Sequence, residues 1–114
     1  MRRFHRPLLV QTGYLVKHKQ QLELALVKAA KYFEKRSLDE WSIEVNHALQ
    51  QLEKSDYSFV ESLWLKYAPT CEIDDLIIID YSQEDEDLAN QLNDELAEVA
   101  NEAFSALDKF KNNQ

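Results

Sequence analysis

Apolar residues recur at helical spacing along most of the chain. Between residues 15 and 35 they lie three, four or seven positions apart, which predicts one buried stripe along a long helix. A second stripe follows a capping box, in which Ser37 stands three residues before Glu40. The stripes are Leu15, Leu22, Ala25, Leu26, Ala29 and Phe33 in the first helix, and Trp41, Val45, Ala48, Leu49 and Leu52 in the second.

Two further amphipathic segments predict a third and a fourth helix. Asp56 can cap the third helix, which should end before Pro69 because proline disfavours helical backbone in the preceding residue. Ser82 and Asp85 resemble another capping box, and the acidic residues 84 to 87 suit the positive end of a helix dipole. We expect the third helix to bury Phe59, Val60, Leu63, Trp64 and Tyr67, and the fourth to bury Leu88, Leu92, Leu96, Val99, Ala103, Leu107 and Phe110.

Four amphipathic helices in 114 residues predict an all-α fold, a compact antiparallel bundle in a single domain. One Gly and two Pro leave little turn material for a many-stranded sheet. The apolar run at residues 76–79 is open to three interpretations: a short strand, a buried helical turn or an irregular segment. Residues 1–14 are basic, and the sequence leaves open whether they are ordered or form a mobile arm.

Charge is divided sharply along the chain. Residues 1–36 carry nine Lys or Arg against two Glu, whereas residues 72–108 carry thirteen acidic residues and no basic one. Such a division creates a directional field that steers oppositely charged partners. Nucleic acid is not an expected partner, because few basic residues follow Arg36 to neutralise phosphates. The alternative is that both segments are ordinary solvated helix faces that partly neutralise each other in the fold.

No catalytic or ligand-binding signature accompanies this charge pattern, so we predict no enzyme, no cofactor and no bound metal. The carboxylates between residues 74 and 87 do not follow the spacing of a calcium loop, and no Gly follows Gly13. The single cysteine, Cys71, allows no internal disulfide and fits a reducing cytoplasm. No apolar run approaches the roughly 18 residues of a membrane span, so we expect a cytoplasmic protein without a membrane partner.

The region from residue 22 to residue 80 carries a recognisable order of features. A helix with Trp41 near its start leads to an acidic turn at Asp56, a helix ending in Tyr67 and the loop Glu72-Ile73-Asp74-Asp75-Leu76-Ile77. This order resembles a family of small, mostly helical bacterial proteins of uncharacterised function. In that family a Tyr-Gly-Gly loop leads into a Gly-Ser-x-Asn-Asp-Leu motif. Tyr67, Asp75 and Leu76 match the motif directly, whereas Ala68-Pro69 stand in place of Gly-Gly and Asp74 in place of Asn.

Members of that family look like the small immunity proteins that accompany secreted antibacterial toxins. The resemblance implies a cytoplasmic protein that binds and neutralises a cognate toxin, and an acidic surface suits a toxin with a basic cleft, such as a nuclease. The competing hypothesis is a structural or regulatory helical adaptor that self-associates, for example as a homodimer, through an exposed stripe or the mobile N-terminal arm, with head-to-tail or antiparallel pairing favoured by the opposite charges at its two ends. The candidate partner-binding residues are Asp74, Asp75, Asp80, Glu84, Asp85, Glu86 and Asp87.

Overall fold

The computed structural model describes the backbone of residues 2–79 and 85–113 and the side chains of residues 17–79 and 85–113. Four α-helices make up most of these ranges, and a short 3-10 helix lies between the third and the fourth. No strand occurs in the described ranges, and the predicted all-α fold is confirmed. The helices are α1 (Arg2–Lys35), α2 (Asp39–Glu53), α3 (Val60–Tyr67) and α4 (Glu86–Asn112), and the 3-10 helix spans Glu72–Leu76.

The molecule measures 67 × 21 × 20 Å along its three principal axes. Helices α1 and α4 pack antiparallel along the longest of these axes. Their contacts run in opposite directions along the chain: Lys35 meets Glu95, whereas Lys28, two turns earlier, meets Glu102. Helix α2 packs on α1 and α3 packs on α4. The α1–α2 pair is also antiparallel, since Phe33 contacts the Trp41 ring near the start of α2.

Helix α1 begins at Arg2, well before the first residue of the predicted stripe. By the register of its contacts with α4, the end of α4 at Asn112 lies near the middle of α1, and the N-terminal half of α1 reaches past it. The side chains of residues 1–16, including Leu15, lie outside the described part of the chain. The hypothesis of a mobile basic arm at residues 1–14 therefore stays a prediction.

The apolar stripes of the four helices meet in one core. Trp41, Leu49 and Trp64 lie half-buried at its edge. Leu88 departs from the prediction, because it is 41% exposed. In the same turn Ala89 is fully buried, so Ala89 and not Leu88 continues the buried stripe of Leu92 and Leu96. The buried members of the predicted stripes are Leu22, Ala25, Leu26, Ala29, Phe33, Val45, Ala48, Leu52, Phe59, Val60, Leu63, Tyr67, Leu92, Leu96, Val99, Ala103, Leu107 and Phe110.

The capping box predicted at Ser37 is wrong. The residue before α2 is Leu38, which makes no side-chain cap, and Ser37 instead closes α1 with a φ of 56°. The Leu38 N–H donates to the Phe33 carbonyl at 2.9 Å, and the Ser37 N–H donates to the Glu34 carbonyl at 3.0 Å. This is the hydrogen-bond pattern of a Schellman motif, in which a left-handed residue turns the chain out of a helix. Glycine usually takes that position, and here a serine does.

The prediction that Asp56 caps α3 is wrong, because the N-cap of α3 is Phe59 and Asp56 lies in the turn before it. Asp56 Oδ1 accepts hydrogen bonds from the Ser58 hydroxyl at 2.8 Å and the Ser58 N–H at 3.1 Å, and α3 begins only at Val60. These two bonds hold the pKa of the Asp56 carboxyl below its usual value. Asp56 therefore stabilises the turn that leads into α3 and not the first turn of the helix itself.

Two buried tyrosines differ in what their hydroxyls do. The Tyr32 hydroxyl donates to the Leu92 carbonyl of α4 at 2.8 Å and accepts from Arg36 Nη1 at 3.0 Å. The Tyr67 hydroxyl is buried among Phe33, Trp41 and neighbouring side chains, with no hydrogen-bond partner among the described residues. Burial raises the pKa of both phenols, because it penalises the charged form.

We expect the two tyrosines to respond differently to loss of the hydroxyl. Tyr32→Phe should lower the free energy of unfolding by roughly 1 kcal/mol, since it removes hydrogen bonds that Leu92 and Arg36 make in the folded state. Tyr67→Phe should leave stability unchanged or raise it, since the buried hydroxyl has no described partner to lose. Urea denaturation of the three proteins measures both effects. Equal destabilisation by the two substitutions would contradict this assignment.

Candidate partner-binding surface

The loop after α3 folds across the end of α1. Ile73, which is 2% exposed, anchors the 3-10 helix in the core, while Asp74 and Asp75 beside it are exposed. Asp74 Oδ2 accepts a hydrogen bond from the Thr70 N–H at 2.9 Å, and Thr70 has a φ of 64°. Asp74 therefore has a local structural role in addition to its charge, whereas no described side chain hydrogen-bonds to Asp75.

Leu76 ends the 3-10 helix, and the residues Ile77 to Ile79 after it are irregular, with an extended backbone at Ile77, which settles the question left open by the sequence. Arg36 Nη1 donates to the Leu76 carbonyl at 2.8 Å and ties the run to the end of α1. The Asn93 side chain of α4 accepts from the Ile78 N–H at 2.8 Å and donates to the Ile78 carbonyl at 3.0 Å. An amide side chain thus supplies the two hydrogen bonds that a neighbouring strand would supply.

The interpretation of this run as a buried helical turn is wrong. Ile78 is half-buried, but Ile77 is 44% exposed and Ile79 is 85% exposed. Sequence reasoning missed these two isoleucines as surface residues, because a run of β-branched residues is typical of a buried segment. The sequence also offers little indication that Asn93 holds this run in place. The only indication is that Asn93 is a polar residue directly beside the buried Leu92.

Helix α4 starts at Glu86, and its N-cap is Asp85. Asp85 Oδ1 accepts a hydrogen bond from the Leu88 N–H at 2.6 Å, which is the usual geometry of an N-cap. The capping box predicted with Ser82 as the cap is therefore wrong, because the helix begins three residues later. Glu86 and Asp87 are exposed in the first turn, where the helix dipole favours negative charge. Asp80 and Glu84 lie outside the described residues.

The role of Asp85 as a cap predicts a difference between two substitutions that both remove its charge. Asp85→Ala should lower the free energy of unfolding by about 1 kcal/mol, because it leaves the Leu88 N–H without its acceptor. Asp85→Asn should cost much less, because asparagine caps helices about as well as aspartate. Thermal and urea unfolding of the two variants test this. Equal losses in both would show that the charge matters and the cap does not.

The glutamates in the middle of α4 are neutralised by lysines of α1. Lys28 Nζ lies 3.0 Å from Glu102 and 3.1 Å from Glu98, and Lys35 Nζ lies 2.9 Å from Glu95. The hydrogen bonds that Lys28 donates to Glu102 and Glu98 raise its pKa. The oppositely charged segments of the sequence thus partly neutralise each other, as the alternative interpretation expected. These pairs are exposed to solvent, so each contributes little to stability.

The carboxylates at the start of α4 and in the preceding loop differ from those in the middle of α4. Glu72 in that loop pairs with Lys66 at 3.7 Å, but among the described residues no Lys or Arg forms an ion pair with the other carboxylates of the loop or with those at the start of α4. Arg36, the nearest guanidinium by its contacts, donates to the Leu76 carbonyl and the Tyr32 hydroxyl. We call this set the acidic end; its described members are Asp74, Asp75, Asp85, Glu86 and Asp87.

A groove of about 320 Å³ lies between the end of α1 and the first turns of α4. Lys35, Arg36 and Ser37 at the end of α1 line one side of it, and Leu88 and Leu92 of α4 line the other. Asp85 to Asp87 lie one turn before Leu88, and Asp74 and Asp75 precede Leu76, which Arg36 binds. The fold therefore brings both groups of carboxylates to the same end of the bundle as the exposed Ile77 and Ile79.

The described residues contain no group of three or more His, Cys, Asp or Glu side chains arranged to hold a metal ion. None of the described helices combines the length and the apolar content that a membrane crossing requires. Cys71 is an exposed free thiol next to the 3-10 helix. The acidic end is thus a surface with charge and exposed apolar groups but without a described ligand cage.

No protein-family model matches the chain, and no curated protein or solved structure matches it either. The family resemblance of residues 22–80 accordingly stays a prediction. The functional argument rests on the surface of the molecule.

Proposed function

We propose that this chain is a cytoplasmic immunity protein that binds and neutralises a cognate secreted antibacterial toxin through its acidic end. The observation that carries the proposal is that some acidic residues of the fold form ion pairs with lysines and others do not. Lysines of α1 pair with Glu95, Glu98 and Glu102, whereas the acidic end has no described cationic partner. A cluster of like charges without counter-charges costs stability through self-repulsion, and a binding partner of opposite charge removes that cost.

A basic toxin domain is the partner that this surface suits. Complementary charge raises the rate of encounter and selects against wrong partners, and both properties serve an inhibitor that must capture its target quickly. Nuclease domains bind phosphates with Lys and Arg, so the cleft of a nuclease would present the required positive surface. In this proposal the immunity protein acts by covering that cleft and performs no chemistry of its own.

A pull-down from lysate of the native cell tests the proposal. Tagged wild-type protein should retain one secreted-effector domain at low salt, identified by mass spectrometry, and should release it at high salt because salt screens exposed charges. The variant Asp74→Asn, Asp75→Asn, Asp85→Asn, Glu86→Gln and Asp87→Asn should lose it. The asparagine at position 85 keeps the cap of α4, so loss of binding would not reflect loss of the helix start.

A matched variant controls for net charge. Glu23, Asp39, Glu40, Glu53 and Glu61 are exposed carboxylates on other parts of the described surface. Replacing these five by the corresponding amides removes the same amount of charge and should leave retention of the effector unchanged. Equal retention by both variants would contradict the assignment to the acidic end, and recovery of no effector by the wild-type protein would contradict the proposed function.

A self-associating adaptor is the second candidate, and one feature of the fold favours it. The N-terminal half of α1 reaches past α4 and carries Arg2, Arg3 and Arg6, at the opposite end of the rod from the acidic end. Opposite charges at the two ends favour head-to-tail or antiparallel pairing. Sedimentation of the purified protein separates the candidates: a mass that rises above 13.4 kDa with concentration supports the adaptor, and a constant monomer mass opposes it.

A further inference from the structure

The extended run Ile77–Ile79 has one edge occupied and one edge exposed. Asn93 occupies the first edge through both backbone groups of Ile78. Neighbouring residues of an extended chain direct their N–H and C=O groups to opposite edges, so the groups of Ile77 and Ile79 lie on the other edge. The Ile77 N–H donates to the Asp74 carbonyl at 3.2 Å, so the edge offers a partner the Ile77 carbonyl and the Ile79 N–H, neither of which has a hydrogen-bond partner among the described residues. Exposed strand edges of this kind are templates for pairing with another chain.

The side chains at this edge are apolar and accessible. Residues two apart in an extended chain project from the same face, so Ile77 and Ile79 share one face, with 44% and 85% of their surfaces exposed. The backbone of Ile77 is extended, with φ of −66° and ψ of 130°. The edge is held in place from behind by Asn93 and, one residue earlier, by Arg36 at the Leu76 carbonyl. A partner would therefore meet a pre-ordered edge and would not need to order it, which lowers the entropic cost of binding.

The charges around the edge decide what can occupy it. Asp74 and Asp75 precede the run by a few residues, and Asp85 to Asp87 lie at the neighbouring start of α4. A second copy of this chain, paired edge to edge, would bring its own carboxylates against these and would be repelled. A segment that carries Lys or Arg beside apolar residues would meet opposite charge and apolar surface together.

We infer that Ile77–Ile79 is a strand edge that binds an extended, lysine- or arginine-bearing segment of a partner protein by strand addition. Main-chain hydrogen bonds to Ile77 and Ile79 supply the pairing, and the acidic end supplies the preference for a basic segment. That the segment belongs to a toxin rests on the proposed function; the edge and its chemistry do not depend on it.

A synthetic probe tests the edge directly. A labelled heptapeptide of alternating lysine and valine should bind the wild-type protein in a fluorescence-anisotropy titration at low salt, and should shift the backbone amide resonances of Ile77 to Ile79. Two control peptides should each bind with an affinity at least about tenfold lower. The first carries glutamate in place of lysine and loses the charge match. The second carries N-methyl groups on its valines and loses the strand hydrogen bonds.

Three protein variants complete the experiment. Ile79→Pro removes the exposed N–H donor and leaves the Asn93 contacts of Ile78 in place, and Ile79→Ser removes the apolar side chain. Each should weaken binding of the lysine peptide about tenfold. Ile43→Ser is the matched control, because Ile43 is a 69% exposed isoleucine on α2, away from the edge, and it should bind as the wild type does. Circular dichroism confirms that all three remain folded.

Several results would overturn the inference. The first is that the lysine peptide does not bind the wild-type protein. The second is that the N-methylated peptide binds as tightly as the unmodified one, or that Ile79→Pro binds the lysine peptide as tightly as the wild type does. The third is a dimer of the free protein that Ile79→Pro abolishes, since this would identify a second copy of the chain as the occupant of the edge. The outcome is separable from the test of the proposed function. Peptide binding without any effector in the pull-down defeats only the immunity proposal, whereas an effector retained fully by Ile79→Pro defeats only the strand edge.

Discussion

The antiparallel register of α1 against α4 is the constraint on which the rest of the molecule depends. It aligns the apolar stripes of the two longest helices, and it places Lys28 and Lys35 against glutamates of α4. Because α1 ends opposite Glu95, the first turns of α4 extend past it, with Asp85 to Asp87 at their start. The loop at residues 72–79 then lies over this exposed end, held by Arg36 from α1 and by Asn93 from α4. One register therefore creates both the neutralised middle of α4 and the acidic end.

The sequence predicts the helices well because their apolar periodicity is a local property. Phe33, Val45, Leu63 and Leu107 are buried as their spacing requires. The errors lie where the outcome depends on contacts distant in sequence or on a rare backbone angle. Ser37 and Glu40 have the spacing of a capping box, but Ser37 takes the left-handed conformation that closes α1, and a chain without a glycine at that position gives no warning of it. Leu88 has the spacing of the stripe, but it is 41% exposed, and the adjacent Ala89 takes the buried position in that turn.

The sequence predicted which acidic residues belong to the candidate site. It did not predict how these residues are arranged on the folded surface. Composition alone identified Asp74, Asp75 and Asp85 to Asp87, but their separation from Glu95, Glu98 and Glu102 requires knowledge of which glutamates face lysines. Two of the acidic residues also shape the backbone, since Asp74 binds the Thr70 N–H and Asp85 caps α4. The exposed Ile79 and the Asn93 contacts behind it had no sequence signal, because the amide and the run it binds are fifteen residues apart. The charged rim and the apolar centre of the candidate surface can therefore be recognised only in the folded chain.

The central claim is that lysines of α1 pair with glutamates in the middle of α4, whereas the described carboxylates of the acidic end form no ion pair. Carbodiimide cross-linking of the dilute monomer, followed by proteolysis and mass spectrometry, tests it directly, because the reagent joins a lysine amine only to a carboxylate that it contacts. The account predicts links from Lys28 to Glu98 or Glu102 and from Lys35 to Glu95, and none within the monomer from a lysine of α1 to Asp74, Asp75, Asp85, Glu86 or Asp87. Links from α1 to the acidic end, or the absence of those from Lys28, would contradict it.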